Sequence, residues 1–235
     1  MRALRGAMAS MGNELLASLS DACRAHLAGV LLTKPVLSGE VLYEIGAPLQ
    51  NVIFPQDGLI SLQATLADGR SVEKVPLGRD GMVGFETLFD LDRAQCSAVV
   101  VISGTASWLP RHLLPELEHH YPCFAPAMRA CMARIFKRMS QSVVCAAAHN
   151  ASQRIASWLL AADDRIAGSA MDLTQRDLAD VLGVRVATAS DACHRMMLSG
   201  AIRYSRGSLT VTDRARLQAH ACECYDAGKV TSGQR

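Results

Sequence analysis

Residues 174–200 read TQRDLADVLGVRVATASDACHRMMLSG, and the spacing within this stretch decides how the last third of the chain folds. Thr174 predicts a helix N-cap, because its side-chain oxygen can accept a backbone N–H of the first turn. Leu178, Val181 and Leu182 follow at helical spacing, and Gly183 marks the stop, where a left-handed residue is wanted. A second helix carries Ala189, Ala192, Cys193 and Met196 on one side and ends at Ser199-Gly200. That leaves Arg185, Val186, Ala187, Thr188, Ser190 and Asp191 to face outward. Ile202-Arg203-Tyr204 and Leu209-Thr210-Val211 then flank Ser205-Arg206-Gly207-Ser208, the pattern of a hairpin with alternating faces. Helix, glycine turn, helix and hairpin together predict a winged helix-turn-helix. In that motif the first helix braces the second so that its N-terminal half can lie in the major groove of DNA.

The candidate DNA-contacting residues follow from this geometry. Thr174, Gln175 and Arg176 open the bracing helix, where backbone N–H groups and short donors can hold a phosphate. Arg185, Thr188 and Ser190 lie on the recognition helix, and Arg203 and Arg206 on the hairpin can reach a flanking backbone. Upstream, Asn150 and Gln153 predict a capping box opening a helix with Ile155, Trp158, Leu159, Ala162 and Ile166 on one face, ended by Gly168-Ser169.

Further back, no proline interrupts Ala127 to His149. Met128, Met132, Ile135, Met139, Ser142 and Ala146 recur there at alternating spacings of four and three, as in a heptad seam. At ~1.5 Å per residue the helix is roughly 35 Å long. A parallel dimer seam is the favoured expectation, since a long helix between two compact regions has little else to bury; packing against the preceding domain gives the same period. From Val30 to Leu109 the texture is short β-rich runs, Val41–Tyr43, Val52–Phe54, Leu59–Leu62 and Ser97–Ile102, punctuated by glycine. These predict a small antiparallel, jelly-roll-like β-roll. Asp57-Gly58 and Asp68-Gly69 are turn dipeptides, the second a hairpin candidate between Leu62–Leu66 and Ser71–Val75. Leu15, Leu16, Leu19, Ala22, Cys23 and Leu27 predict a helical N-terminal arm. The expected organisation is an arm over 1–29, the roll over 30–124, the long helix over 125–149, the winged helix-turn-helix over 150–225 and a flexible tail over 226–235. The fold class is α+β.

Composition narrows the function. Of the 235 residues 50% are apolar and 20% charged, and the net charge is +2, so any nucleic-acid affinity must come from a local patch. No apolar run is long enough to span a membrane, Asn13 and Glu14 interrupt the N-terminus that begins with Arg2 and Arg5, and a cytoplasmic location is expected. The eight cysteines form no Cys-x-x-Cys pair. Cys222 and Cys224 would diverge on a helix, so packing is expected of them rather than a metal or redox role. Between Val30 and Leu109 there is no histidine, which argues against the metal chemistry that barrel enzymes support. With no Ser/His/Asp or phosphate-loop signature either, no enzyme activity is expected.

The order of glycine-punctuated roll, long helix and winged helix-turn-helix resembles the Crp–Fnr family of bacterial transcription regulators. The likeness spans roughly residues 30 to 220. It rests on Ser38-Gly39-Glu40 through Gly46, Asp57-Gly58-Leu59-Ile60, Thr174 through Arg185 and Gly200-Ala201-Ile202. The resemblance implies a cyclic-nucleotide-binding-like roll and a homodimer bound to a palindromic double-stranded DNA operator, with contacts to RNA polymerase. Nucleotide-binding members carry Gly-Glu and, further on, Arg-Ser/Thr-Ala, a carboxylate for the ribose and an arginine fork for the cyclic phosphate. Here Gly84 is followed by Phe85 with Glu86 one place late, and the later triad is Cys96-Ser97-Ala98. These residues mark the possible effector pocket, but without the arginine cyclic AMP is not the expected effector; Arg93 is a substitute three residues early. Iron–sulfur members need an N-terminal cysteine cluster, and that region offers only Cys23. An axial haem ligand would have to lie in the roll or near the long helix, where His26, His112, His119, His120 and His149 are available, and the sequence singles out no cofactor. The recognition helix lacks the family's Arg-Glu pair. Arg185 can still read guanine or hold a phosphate, Thr188 grip the backbone or contact a thymine methyl, and Asp191 accept from cytosine N4. The alternative reading is a regulatory or interaction protein that no longer binds DNA.

Overall fold

The computed structural model describes residues 11–166, 170–205 and 207–229; Arg2, Arg5, Gly168, Ser169 and Arg206 lie outside them. Two short helices open the described chain, α1 (Glu14–Ala17) capped by Asn13 and α2 (Asp21–Val30) capped by Ser20. Leu15, Leu16, Leu19, Cys23 and Leu27 are all buried in the core of the sheet domain, whereas Ala22 faces solvent. The buried Asn13 amide donates to the carbonyls of Pro55 and Gly81 at 2.9 Å each. The expected arm is therefore a flank of the roll, since its leucines complete a core that the strands alone leave open.

Five strands follow: β1 (Leu32–Val36), β2 (Val41–Tyr43), β3 (Asn51–Thr65), β4 (Ser71–Leu77) and β5 (Ser97–Pro110). They form one antiparallel sheet in the order β1-β5-β3-β4, with β2 also paired to β5. The Asp68-Gly69 hairpin forms as expected, with Thr65 opposite Ser71. Asp57-Gly58 makes no chain reversal. Instead β3 runs through it with register shifts against β5, a bulge that bends the sheet. Gly58 sits there at φ +80°, and a Cβ would lie 2.6 Å from the carbonyl of Ile102.

Beyond α3 (Leu114–His120) the long helix α4 spans Phe124–Ala148. Its buried face is Phe124, Met128, Cys131, Ile135 and Arg138, packed on the roll. This corrects the expected seam. Met128 and Ile135 are 1% and 0% exposed within their own protomer, and Met132 and Met139 are half-buried against the same core. The Ser142 hydroxyl donates to the Met139 carbonyl at 2.8 Å. The roll takes the stripe from Met128 to Met139, so the alternative packing accounts for that part of the periodicity, while Ser142 and Ala146 at its end are exposed. What faces solvent is the row one residue further on, Arg129, Ala133, Phe136, Ser140, Val143 and Ala147, about 100° around the helix.

The last part holds α5 (Ala151–Asp163), β6 (Ala170–Met171), α6 (Gln175–Leu182), α7 (Val186–Leu198), β7 (Ile202–Ser205), β8 (Ser208–Val211), α8 (Arg214–His220) and α9 (Cys224–Gly228). The capping box at Asn150 and Gln153 is present. The core of this unit takes in Leu59, Val101 and Ile102 of β3 and β5, so the two halves share apolar surface. Polar contacts reinforce the junction. The carboxylate of Asp80 binds Arg138 of α4 and Arg165 beyond α5, the latter at 3.1 Å. The expected tail at Asp226 does not begin there: Asp226–Gly228 complete α9, with Tyr225 buried beneath and the Lys229 ammonium 4.0 Å from its ring. Cys222 lies in the link between α8 and α9, so it and Cys224 share no single helix and do not diverge. The α+β class holds, and among the described residues no helix is long and apolar enough to cross a membrane.

Candidate nucleic-acid interface

Thr174 caps α6 as expected. Its hydroxyl accepts the Asp177 N–H at 3.1 Å and donates to the Asp177 carboxylate at 2.6 Å. That hydroxyl is spent on the cap, which leaves the half-buried Gln175 and the exposed Arg176 as the outward side chains of this end. Gly183 ends the helix at φ +63°, where a Cβ would meet Val72 of β4 at 3.2 Å. Arg154 of α5 donates to the carbonyl of Leu182 at 2.8 Å, which fixes the turn from the other side.

In α7, Ala189, Ala192, Cys193 and Met196 are all buried, so the helix is held along one face. Arg185, its N-cap, is exposed with Val186, Ala187 and Asp191, while Thr188 and Ser190 are half-buried. The positive end of the helix dipole and the Arg185 guanidinium thus coincide. Two exposed basic side chains on this helix escaped the sequence reading, His194 and Arg195. They sit three and four places beyond Asp191 and extend its outward face; the i+3/i+4 rule could have found them. At the far end of the helix, Arg216 donates to the carbonyl of Ser199 at 2.8 Å and His220 meets the Ser199 hydroxyl at 2.9 Å, so α8 braces the exit. The hairpin pairs as expected, Arg203 opposite Thr210, with β6 as a third strand that the sequence did not reveal. Arg203 is exposed. The interface therefore presents Arg176, Arg185, Arg195 and Arg203 on elements whose buried faces are fully packed.

In the roll, Gly84 (φ +80°) precedes a 3-10 turn, Phe85–Phe89, that buries Glu86. One Glu86 oxygen is buried without a hydrogen-bond partner, and the other lies 4.0 Å from the thiol of Cys96. Burial, with the Glu86 carboxylate beside it, pushes the Cys96 thiol up to about 11. Burial next to Glu86 and Cys96 likewise raises the Tyr43 phenol. The Ser97 hydroxyl accepts the Ile45 N–H at 3.1 Å. Arg93 is exposed and donates to the carbonyl of Gly46 at 2.8 Å. Gly84, Glu86 and Cys96 thus come together around a buried carboxylate.

A cavity of about 450 Å³ opens where the roll, α4 and α5 meet, with Glu73, Arg138, Arg154 and Trp158 on its walls. The Trp158 indole donates to Glu73 at 2.8 Å. Burial still pushes the Glu73 carboxyl up to about 7, against the hydrogen bonding and the charge of Arg165.

Residues 153–220 match the sequence profile of the Crp-like helix-turn-helix domain. The anaerobic regulatory protein of Pasteurella multocida (strain Pm70) is 20% identical over 192 residues, 78% of this chain and 70% of that protein. Among solved structures, FixK2 from Bradyrhizobium japonicum superposes with a TM-score of 0.70 at 20% identity, covering 82% of this chain and 98% of FixK2. A Crp-family transcriptional regulator from Thermus thermophilus gives 0.67 at 18% identity, over 80% and 96% of the two chains.

Proposed function

From the premise that this chain has the fold of the Crp/Fnr regulators and carries their Crp-like helix-turn-helix domain, we propose that it is a homodimeric, sequence-specific DNA-binding transcription regulator. The observation that carries the reading is α7, packed along one face by Ala189, Ala192, Cys193 and Met196 and free along the other from Arg185 to Arg195. Arg176 and Arg203 grip phosphates on either side, and Arg185 supplies base readout or a phosphate contact at the start of the groove. Two copies pair along the solvent-facing row of α4, where Phe136 and Val143 are 71% and 70% exposed. A two-fold dimer reads a palindrome with half-sites about one DNA turn apart. Contact with RNA polymerase is part of the same reading and rests on the family resemblance.

The roll acts on this dimer through its junction with α4 and α5, where Asp80 bridges Arg138 and Arg165. Its effector is not cyclic AMP, because the place of the family's arginine is held by the thiol of Cys96, which offers a cyclic phosphate no cation. Selection of fragments from a genomic DNA library by the full chain, with and without cyclic AMP, tests the proposal. Nucleotide-independent enrichment of a palindrome supports it. Enrichment only with cyclic AMP overturns the reading of the roll, and no enrichment favours an interaction protein over a DNA-binding one.

A further inference from the structure

Four side chains outside the DNA-binding surface converge where α4 ends. Cys145 lies in the last turn of α4 and His149 is its C-terminal cap. Cys222 lies in the link between α8 and α9, and Cys224 is the first residue of α9. Their sulfurs and an imidazole nitrogen all lie within 4.8 Å of one another. Cys145 Sγ is 3.5 Å from Cys222 Sγ, and Cys224 Sγ is 3.5 Å from His149 Nδ1. Around a tetrahedral zinc ion with Zn–S ~2.3 Å and Zn–N ~2.05 Å, sulfurs stand ~3.8 Å apart and sulfur and nitrogen ~3.5 Å. The observed separations are close to both.

We infer that Cys145, His149, Cys222 and Cys224 form a closed Cys3His site for a single zinc ion. The ligand chemistry selects the metal class. Three thiolates and an imidazole suit zinc and disfavour magnesium or calcium, and four protein ligands leave no position open for catalysis. The surroundings supply a second, independent observation. His149 Nε2 lies 3.2 Å from the carboxylate of Glu223, the arrangement that fixes the tautomer of a metal-bound imidazole and leaves Nδ1 for the metal. Gln141 Nε2 donates to Cys224 Sγ at 3.1 Å, and the Ser157 hydroxyl lies 3.1 Å from Cys222 Sγ, so two sulfurs have polar partners suited to thiolates. Packing alone explains buried cysteines. It does not explain a carboxylate on the far nitrogen of the one histidine among them.

The site would staple the joint between α4 and α5 to the end of the DNA-binding unit, because its ligands come from segments about seventy-five residues apart in the chain. It does not depend on the DNA-binding proposal. The test uses the full chain purified under reducing conditions. Metal analysis should find one zinc per chain. After stripping with a chelator, titration with Co²⁺ should give the visible d–d and thiolate charge-transfer bands of a tetrahedral thiolate site, saturating at one equivalent and reversed by Zn²⁺. Cys224→Ser should abolish the thiolate charge-transfer pattern of the wild type, while Cys123→Ser, remote from the site, should keep it. Should Cys224→Ser fail to fold, Glu223→Gln keeps the test, since Glu223 is exposed: it should weaken Co²⁺ binding roughly 10- to 100-fold. A folded, fully reduced wild type that carries no zinc and gives no cobalt bands overturns the inference. So does an unaltered cobalt spectrum in folded Cys224→Ser, or Co²⁺ affinity unchanged in Glu223→Gln.

Discussion

Phe136→Glu should split the dimer while leaving each protomer folded. In the isolated protomer Phe136 is 71% exposed and lies off the buried row of α4. A phenylalanine side chain of about 200 Å² then has roughly 140 Å² to bury against a second copy. At ~25 cal/mol per Å² that is about 3.5 kcal/mol per ring and about 7 kcal/mol for the two rings of a symmetric seam. Association costs offset part of this. If half survives, its loss weakens the dimer about 300-fold, before the cost of placing two carboxylates in an apolar seam. Sedimentation equilibrium across micromolar concentrations reads this directly, with circular dichroism to confirm the fold. Ile135→Ala is the contrast, since Ile135 is fully buried in its own protomer: it should lower unfolding stability by about 2–5 kcal/mol with assembly intact. A Phe136→Glu protein as dimeric as the wild type refutes the rotated seam.

Other residues at the junction carry their own expectations. Asp80→Asn removes the negative charge between two buried guanidiniums and should destabilise the chain by about 3–5 kcal/mol in urea unfolding. Burial alone would raise the Asp80 carboxyl, but Arg165 and Arg138 outweigh it and hold it below the usual range; its contribution is therefore present at neutral pH and lost as pH falls through that depressed value. Glu73 runs the opposite way. Its carboxyl is raised from 4.5 to about 7 in the fold, so the folded state holds the proton more tightly and stability should fall by up to about 3 kcal/mol as pH rises from 4.5 to about 7. Glu73→Gln should flatten that segment of a pH–stability curve measured by urea unfolding, and an unchanged slope would count against the buried protonated form. Gly58→Ala should cost more than an ordinary surface change, because its Cβ meets the Ile102 carbonyl at a positive φ; thermal unfolding checks this.

The parts of the fold written in local signals were legible in the sequence. Thr174, Gly183, Asn150 and Gln153 mark their helix ends through bonds made within a few residues, and the alternating hairpin around Gly207 needs only its own two strands. The α4 seam was misplaced for a physical reason. A 4-3 spacing fixes that a helix is buried along a stripe but not by what, and both the roll-facing row and the solvent-facing row of α4 carry that spacing. Asp57-Gly58 likewise has turn chemistry, yet the partner strand β5 outweighs local preference and turns it into a bulge. The cluster at Cys145, His149, Cys222 and Cys224 could not be read from spacing at all, because it joins two distant segments and forms no Cys-x-x-Cys pair.

Binding of the full chain to its library-selected palindrome over a range of salt concentrations tests whether α7 reads DNA from Arg185 onward. Log affinity should fall linearly with log salt, as phosphate contacts release counterions. Arg185→Ala should weaken binding by about 1–3 kcal/mol and relax preference at one position of each half-site. Affinity indifferent to salt, or an Arg185→Ala protein that binds as tightly and as selectively as the wild type, contradicts the account.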